Sequence, residues 1–394
     1  MDLSFDLLAT DGAARRGRLH TAHGVIETPV FMPVGTQGSV KALTHRDVRD
    51  AGAGIILGNT YHLLLRPGEG LIARRGGLHR FISWDGAILT DSGGYQVFSL
   101  AHRRKLSEAG VHFKSHLDGS ARFLSPESVV DVQAALGSDI AMVLDECLSW
   151  PAPENDVRTS MELTARWARR ARERMRALRH GVGSPGPDGQ SMPPVPLVTP
   201  TQAQFGIIQG GTYPTLRTAS VEATLAVGFE AYAIGGLSVG EPAETLYSMV
   251  EHTARLLPVD RPRYLMGVGT PSDLVESVAR GVDMFDCVLP TRNARNGQLF
   301  TRQGRINIKN AAYAEDDRPL DDSCKCYTCR TFSRAYLRHL FVAGEMTAAT
   351  LHTLHNVQYY LDTMEAIREA ISFGRFEAFR QDFHRTRDQS ALDT

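Results

Sequence analysis

Eight short apolar, β-branched runs recur along the chain with helical or loop segments between them, and no other feature restricts the fold as much. They fall at 29–34, 54–57, 87–90, 140–144, 205–208, 231–234, 263–266 and 282–285. Runs apolar on both alternating faces belong to parallel strands buried on both sides, because crossover helices cover one of those faces. Eight such units predict the α/β class, as a (β/α)8 TIM-type barrel with insertions. A doubly wound open sheet also gathers ligand loops at strand ends, but the chain has no phosphate-loop fingerprint.

The segments that follow the runs strengthen the barrel reading. GNTYH follows the second, DSGGYQ the third, DEC the fourth and QGG the fifth, and GGLSVGE, GVGTPSD and DCVLPTR follow the next three. Polar and glycine-rich residues therefore collect at strand C-terminal ends, where barrels of this kind build their sites. Between the third and fourth runs, VHFKSHLDGSARFL reads as a hairpin turning at Asp118 and Gly119, and Ser125-Pro126-Glu127 starts a helix with a cap and an N1 proline. Residues 158–180 hold eight arginines and two glutamates at amphipathic helical spacing, a solvated face or a phosphate contact. The stretch GVGSPGPDGQSMPPVPLVTP from Gly181 is expected to be an exposed, poorly ordered loop. The expected organisation is a barrel over 1–310, a smaller subdomain over 311–365 and a C-terminal helix over 366–394 packing back on the barrel.

With 394 residues, 42% of them hydrophobic, the chain can bury a full core. The N-terminus lacks a basic start followed by an apolar run, and no stretch approaches the roughly 20 apolar residues of a membrane helix. A cytoplasmic location without membrane contact is expected. The net charge of −1 means that a polyanion would be held by local patches. One such patch is 287–314, which contains Arg292, Arg295, Arg302, Arg305 and Lys309 and no acidic residue.

Three of the five cysteines crowd into Cys324, Cys326 and Cys329, too close for an ordinary disulfide framework. Three thiolates from one turn suit a tetrahedral, borderline-soft ion and need one further ligand, which spacing leaves open among His339, His352 and His355. Four protein ligands make the expected Zn2+ structural, so catalysis must lie elsewhere.

Strand ends supply Asp91, Asp145 and Asp286. A single aspartate after a strand is usually a cap or turn residue, whereas three beside Gly-Gly segments point to a site. Glycosidic chemistry needs one carboxylate to attack or stabilise C1′ and another to manage protons. The neighbouring loops suit guanine: Asp145 for N1–H and the amino group, the Gln209 side chain and backbone N–H groups around Gly236 and Leu237 for O6. Tyr95 and Met266 offer flat or soft surface for the ring, and Cys147 lines the same pocket.

Together TDSGGYQVFSL, DEC, QGG, GGLSVGE, MFDCVLPTR and CKCYTC with a distant HN resemble the tRNA-guanine transglycosylase family, in order and over nearly the whole chain. The resemblance implies that Asp286 is the nucleophile at C1′ of the wobble guanosine and that Asp91 is the proton acceptor and acid/base. It implies a base pocket of Asp91, Ser92, Gly93, Gly94, Tyr95, Asp145, Cys147, Gln209, Gly235, Gly236, Leu237 and Met266. It implies tRNA contacts at Gly267, Val268, Gly269, Thr270, Pro271, Ser272 and Asp273, and at Thr291, Arg292, Asn293, Ala294 and Arg295. The family's HN pair selects His355 as the fourth zinc ligand. Implied partners are G-U-N tRNAs for Asn, Asp, His and Tyr, guanine, 7-aminomethyl-7-deazaguanine (preQ1) and a second copy of the chain. Cys147 and Val239 match the bacterial pocket, while Ser238 departs from the alanine frequent there. A non-catalytic RNA-binding subunit would need neither Asp91 nor Asp286, and a metal-dependent barrel hydrolase would want a His-x-His pair that the strand ends lack.

Overall fold

The computed structural model describes residues 3–100, 104–183 and 195–392. All eight expected runs are strands: β1 Val30–Gly35, β2 Ile55–Gly58, β3 Ala87–Thr90, β4 Ile140–Met142, β5 Ala203–Ile208, β6 Ala231–Ile234, β7 Arg263–Leu265 and β8 Met284–Cys287. They pair in parallel in chain order, and β8 returns to β1 through Met284 opposite Val30 and Phe285 opposite Phe31, closing the barrel. Phe31, Phe205, Phe285 and Ile234 belong to the core that fills it. Closure leaves no open sheet edge, so the strands can be short.

A three-stranded antiparallel sheet of Ser4–Asp11, Ala14–Thr21 and Gly24–Thr28 precedes the barrel, an element that the sequence reading lacked. It buries Leu19 and Ile26 against the barrel core. It is also tied to the strand N-terminal ends by charge. Arg15 Nε lies 3.1 Å from Asp283, and His23 and His79, their rings stacked, bond the two oxygens of Asp139 at 2.7 and 3.0 Å.

The hairpin expected around Asp118 and Gly119 is part of a three-stranded sheet, Arg104–Ser107, Gly110–Lys114 and Ala121–Leu124. Ser125 and Ser128 cap the helix Pro126–Leu136 reciprocally, as the Ser-Pro start predicts. The arginine-rich segment is the helix Glu154–Arg179, but Arg166, Arg170, Arg172 and Arg174 pair with Glu108, Glu127, Glu230 and Asp131 on neighbouring elements. These four charges fasten the helix to its neighbours, while Arg169 and Arg176 stay exposed on its solvated face. Most of the expected proline-rich loop, 184–194, lies outside the described residues.

Beyond the barrel, the strands Gln298–Thr301 and Gly304–Asn307 form a hairpin whose Leu299 packs in one small core with Ile308, Cys326, Cys329, Leu337 and Leu351. The helix Met346–Ser372 begins in that core and runs without interruption across position 365 into contact with the barrel, where Tyr360 and Ile367 are buried. The helix Phe376–Leu392 follows, with Phe376 in the barrel core. No described helix is long and apolar enough to cross a membrane.

Candidate functional site

The strand C-terminal ends open into a cleft of about 1040 Å³ lined by Asp91, Asp145 and Asp286 together with Tyr95, Cys147, Met266 and the 235–239 loop. Each carboxylate comes from a different strand end and is held by neutral donors. None forms an ion pair among the described residues.

Asp91, directly after β3, accepts hydrogen bonds from the Thr60 N–H at 2.8 Å, from Gln96 Nε2 at 2.9 Å and from Asn59. Burial nevertheless raises its pKa, the Asp286 charge adds to the rise, and the net value is about 6. Asp145 accepts from Gln209 Nε2 at 2.8 Å and Ser92 Oγ at 3.1 Å, and burial pushes it to about 6 as well. Asp286, partly exposed to the cleft, accepts the Tyr264 hydroxyl at 2.6 Å and the Gly267 N–H at 2.7 Å on one oxygen. Its second oxygen has no partner among the described residues. Burial raises its pKa against those two bonds. The arrangement offers one carboxylate with an unencumbered oxygen and two whose charge is sensitive to a bound ligand.

The expected base-pocket residues converge. Ser92, Gly93, Gly235, Gly236 and Leu237 line the cleft, and Gly94 packs so close to the Asp145 carbonyl that a side chain there would sit 2.6 Å from it. Gly236 has φ +66, a conformation that favours glycine, and a Cβ on it would push aside Gln209 Oε1, 2.2 Å away. The Gln209 amide donates to Asp145, a contact different from the purine O6 expected of it. Ser238 also adopts a positive φ of 59, and the Ser238 and Val239 N–H groups donate to the Glu241 carboxylate.

The residues expected to touch tRNA divide. Gly267, Gly269, Thr270, Asp273 and Arg292 line the cleft. Thr270 and Asp273 cap the helix Pro271–Val278 reciprocally. Val268, Pro271, Thr291 and Ala294 are buried, so their side chains shape the segment without facing outward. Ser272 is half-buried, Asn293 donates to Gln298 and Arg295 to the Thr291 carbonyl. Asn59, Gln96 and Tyr264, which hold the carboxylates, were not found from sequence. GNTYH was noted for its polarity, but nothing local to Asn59 shows that it faces Asp91, 32 residues away.

The sulfurs of Cys324, Cys326 and Cys329 lie 3.6, 3.7 and 3.3 Å from His355 Nδ1, and all four ligand atoms fall within 4.8 Å of one another. His355 Nε2 is 2.7 Å from the Phe300 carbonyl, which takes its proton and leaves Nδ1 as a lone-pair donor toward the thiols. His352 is buried beside Phe341 and His339 is exposed, and neither joins the cluster. Three thiols and an oriented imidazole fit a zinc ion. Directly after His355, Asn356 accepts the Phe300 N–H and donates to the Pro290 and Gln298 carbonyls, and about a turn further on Tyr360 donates to the Gly269 carbonyl. The same helix thus braces the loops that frame Asp286.

The profile of the family described as Queuine tRNA-ribosyltransferase matches residues 10–389. A queuine tRNA-ribosyltransferase of Solidesulfovibrio magneticus is 56% identical over 96% of both chains. One of Nitratidesulfovibrio vulgaris is 53% identical over 96% of both, and one of Aromatoleum aromaticum is 53% identical over 99% of this chain and 100% of its own. A match of this extent, over a closed barrel whose mouth carries the expected carboxylates, makes the chain a member of the queuine tRNA-ribosyltransferase family of pentosyltransferases.

Proposed function

We propose that this protein exchanges guanine at the wobble position of G-U-N tRNAs for preQ1 by two displacements at C1′. The observation that carries the reading is Asp286: a carboxylate lining the cleft at the barrel mouth, one oxygen fixed by Tyr264 and Gly267, the other open. Its open oxygen attacks C1′ as the N9–C1′ bond breaks, and guanine leaves with a proton managed by Asp91. The glycosyl ester conserves the activated C1′, so no nucleotide is hydrolysed. The incoming base, deprotonated toward Asp91, then displaces Asp286 and configuration at C1′ is retained. To reach this depth the nucleotide is turned out of its stack.

Asp145, oriented by Ser92 and Gln209, accepts N1–H and the amino group, while Tyr95 and Met266 take the two ring faces. Cys147 and Val239 leave room for the aminomethyl group of preQ1. Residues 267–273 and 291–295 guide the anticodon loop. A structural zinc ion held by Cys324, Cys326, Cys329 and His355 fastens the 311–365 subdomain to its helix. The protein works in the cytoplasm as a homodimer.

Incubation with radiolabelled guanine and unmodified G-U-N tRNA tests the reading. Label enters the RNA with the wild type and not with Asp286→Ala, and metal analysis returns one zinc per chain. No incorporation by the wild type contradicts base exchange.

A further inference from the structure

Arg217 lies in the helix Pro214–Val227, is fully buried, and has no carboxylate within ion-pair distance among the described residues. Burial pushes its guanidinium down to about 10, so it stays charged at neutral pH. All its hydrogen bonds go to carbonyls: Nε to Gly211 at 2.8 Å, and Nη2 to Gly235 at 3.0 Å and Gly236 at 3.4 Å. Nη1 is buried without a partner among the described residues. A lone buried cation is costly; buried Arg15 and Arg174 are paired with acids, while Arg263 shares with Arg217 a shell of carbonyls but lies at the opposite end of the barrel from the cleft.

The three carbonyls locate its effect. The Gly235–Gly236 and Gly236–Leu237 peptides are trans, so each N–H points opposite to its carbonyl. With both carbonyls drawn back onto Arg217, the Gly236 and Leu237 N–H groups are turned away from it, toward the cleft that these residues line. The Gly236 N–H faces the Cys147 sulfur, which lines the same cleft and would give way to a bound base, and the Leu237 N–H has no hydrogen-bond partner among the described residues.

We propose that Arg217 is a positioning residue for base selection. Its charge fixes and polarises two peptides so that their N–H groups present a preformed donor pair to the purine O6. Negative charge that develops on O6 as N9 departs is met by dipoles whose far ends rest on a cation. This inference rests on the base-exchange reading above.

The test measures incorporation of guanine and of 6-thioguanine, which keeps N1–H and the amino group but replaces O6 with a poorer acceptor. Arg217→Met and Arg217→Lys are compared with the wild type, with melting followed in parallel. The expected result is a KM for guanine raised about tenfold in Arg217→Met, with the preference for guanine over 6-thioguanine reduced by a similar factor. Arg217→Lys, which keeps the charge but reaches fewer carbonyls, falls between. If the methionine variant does not fold, the lysine variant carries the same comparison. Equal weakening of both bases, or of neither, overturns the proposal. A wild type that takes up neither base overturns the exchange reading itself and this inference with it.

Discussion

The two ends of the barrel hold buried carboxylates in opposite ways. At the strand N-terminal ends, Asp283 meets Arg15, and Asp139 meets His23, His79 and the Ile88 N–H. At the C-terminal ends, only three residues after Asp283 and six after Asp139, Asp286 and Asp145 meet hydroxyl, amide and backbone donors and no cation. Burial acts upward on both Asp139 and Asp145. At Asp139 the hydrogen bonds from His79 and His23 outweigh it and the pKa falls, whereas at Asp145 burial wins and the value is about 6. A cation alone does not set the pKa, since burial holds Asp283 at about 6 despite Arg15; what differs is that the N-terminal carboxylates are tied to basic side chains, whereas the C-terminal ones face the cleft with neutral donors.

This contrast is most exposed at Asp286. Asp286→Asn keeps an oxygen to accept from Tyr264 and Gly267 and removes only the charge, so base exchange falls by about 10⁴ or more while the fold persists. Because the folded-state pKa of Asp286 is raised, its ionised form costs stability above that pKa. The asparagine variant therefore melts at or above the wild type at pH 8, and the gap closes as pH falls. A variant that melts well below the wild type would make Asp286 a structural residue and end the contrast.

Asp139→Ala tests the other end. Leaving two imidazoles and a backbone N–H without their acceptor lowers stability by about 3 kcal/mol in denaturant unfolding, while exchange per folded molecule is unchanged. Since the Asp139 pKa is depressed, its contribution is present above the ordinary carboxylate value and is lost as pH falls through the depressed one. The wild-type advantage over the variant therefore shrinks in acid. Loss of exchange at full folding would show that the two ends are coupled.

A smaller effect is expected at Tyr264→Phe, which removes one of the two bonds favouring ionised Asp286. Exchange drops about tenfold, and the acid limb of its pH profile moves to higher pH. An unmoved limb would mean that Asp286 ionisation does not control it. Replacing Cys329 with Ser should release the metal and weaken exchange only through the loops braced by Asn356 and Tyr360, seen as a raised KM for tRNA with little change in kcat.

The barrel was legible because each strand is a run buried on both faces, and the strand-end aspartates because glycine-rich segments flank them. The N-terminal sheet was not, since ARRGRLHT offers only Ala14 and Leu19 as apolar residues, and its arginines become strand residues only by meeting Asp283 and Glu27. Cys324, Cys326 and Cys329 marked their own site, but residue spacing could not choose among three histidines. That choice depends on the Phe300 carbonyl, 55 residues from His355. Tyr264 was hidden for a similar reason. It sits in a run that reads as core, and its hydroxyl acquires a function only when β7 and β8 pair.

The most direct test of the central claim is denaturing electrophoresis of the protein mixed with G-U-N tRNA in the absence of free base. A tRNA-bearing band is expected with the wild type, disappearing when guanine is added and never forming with Asp286→Asn. Exchange of labelled guanine by Asp286→Asn at the wild-type rate would contradict it.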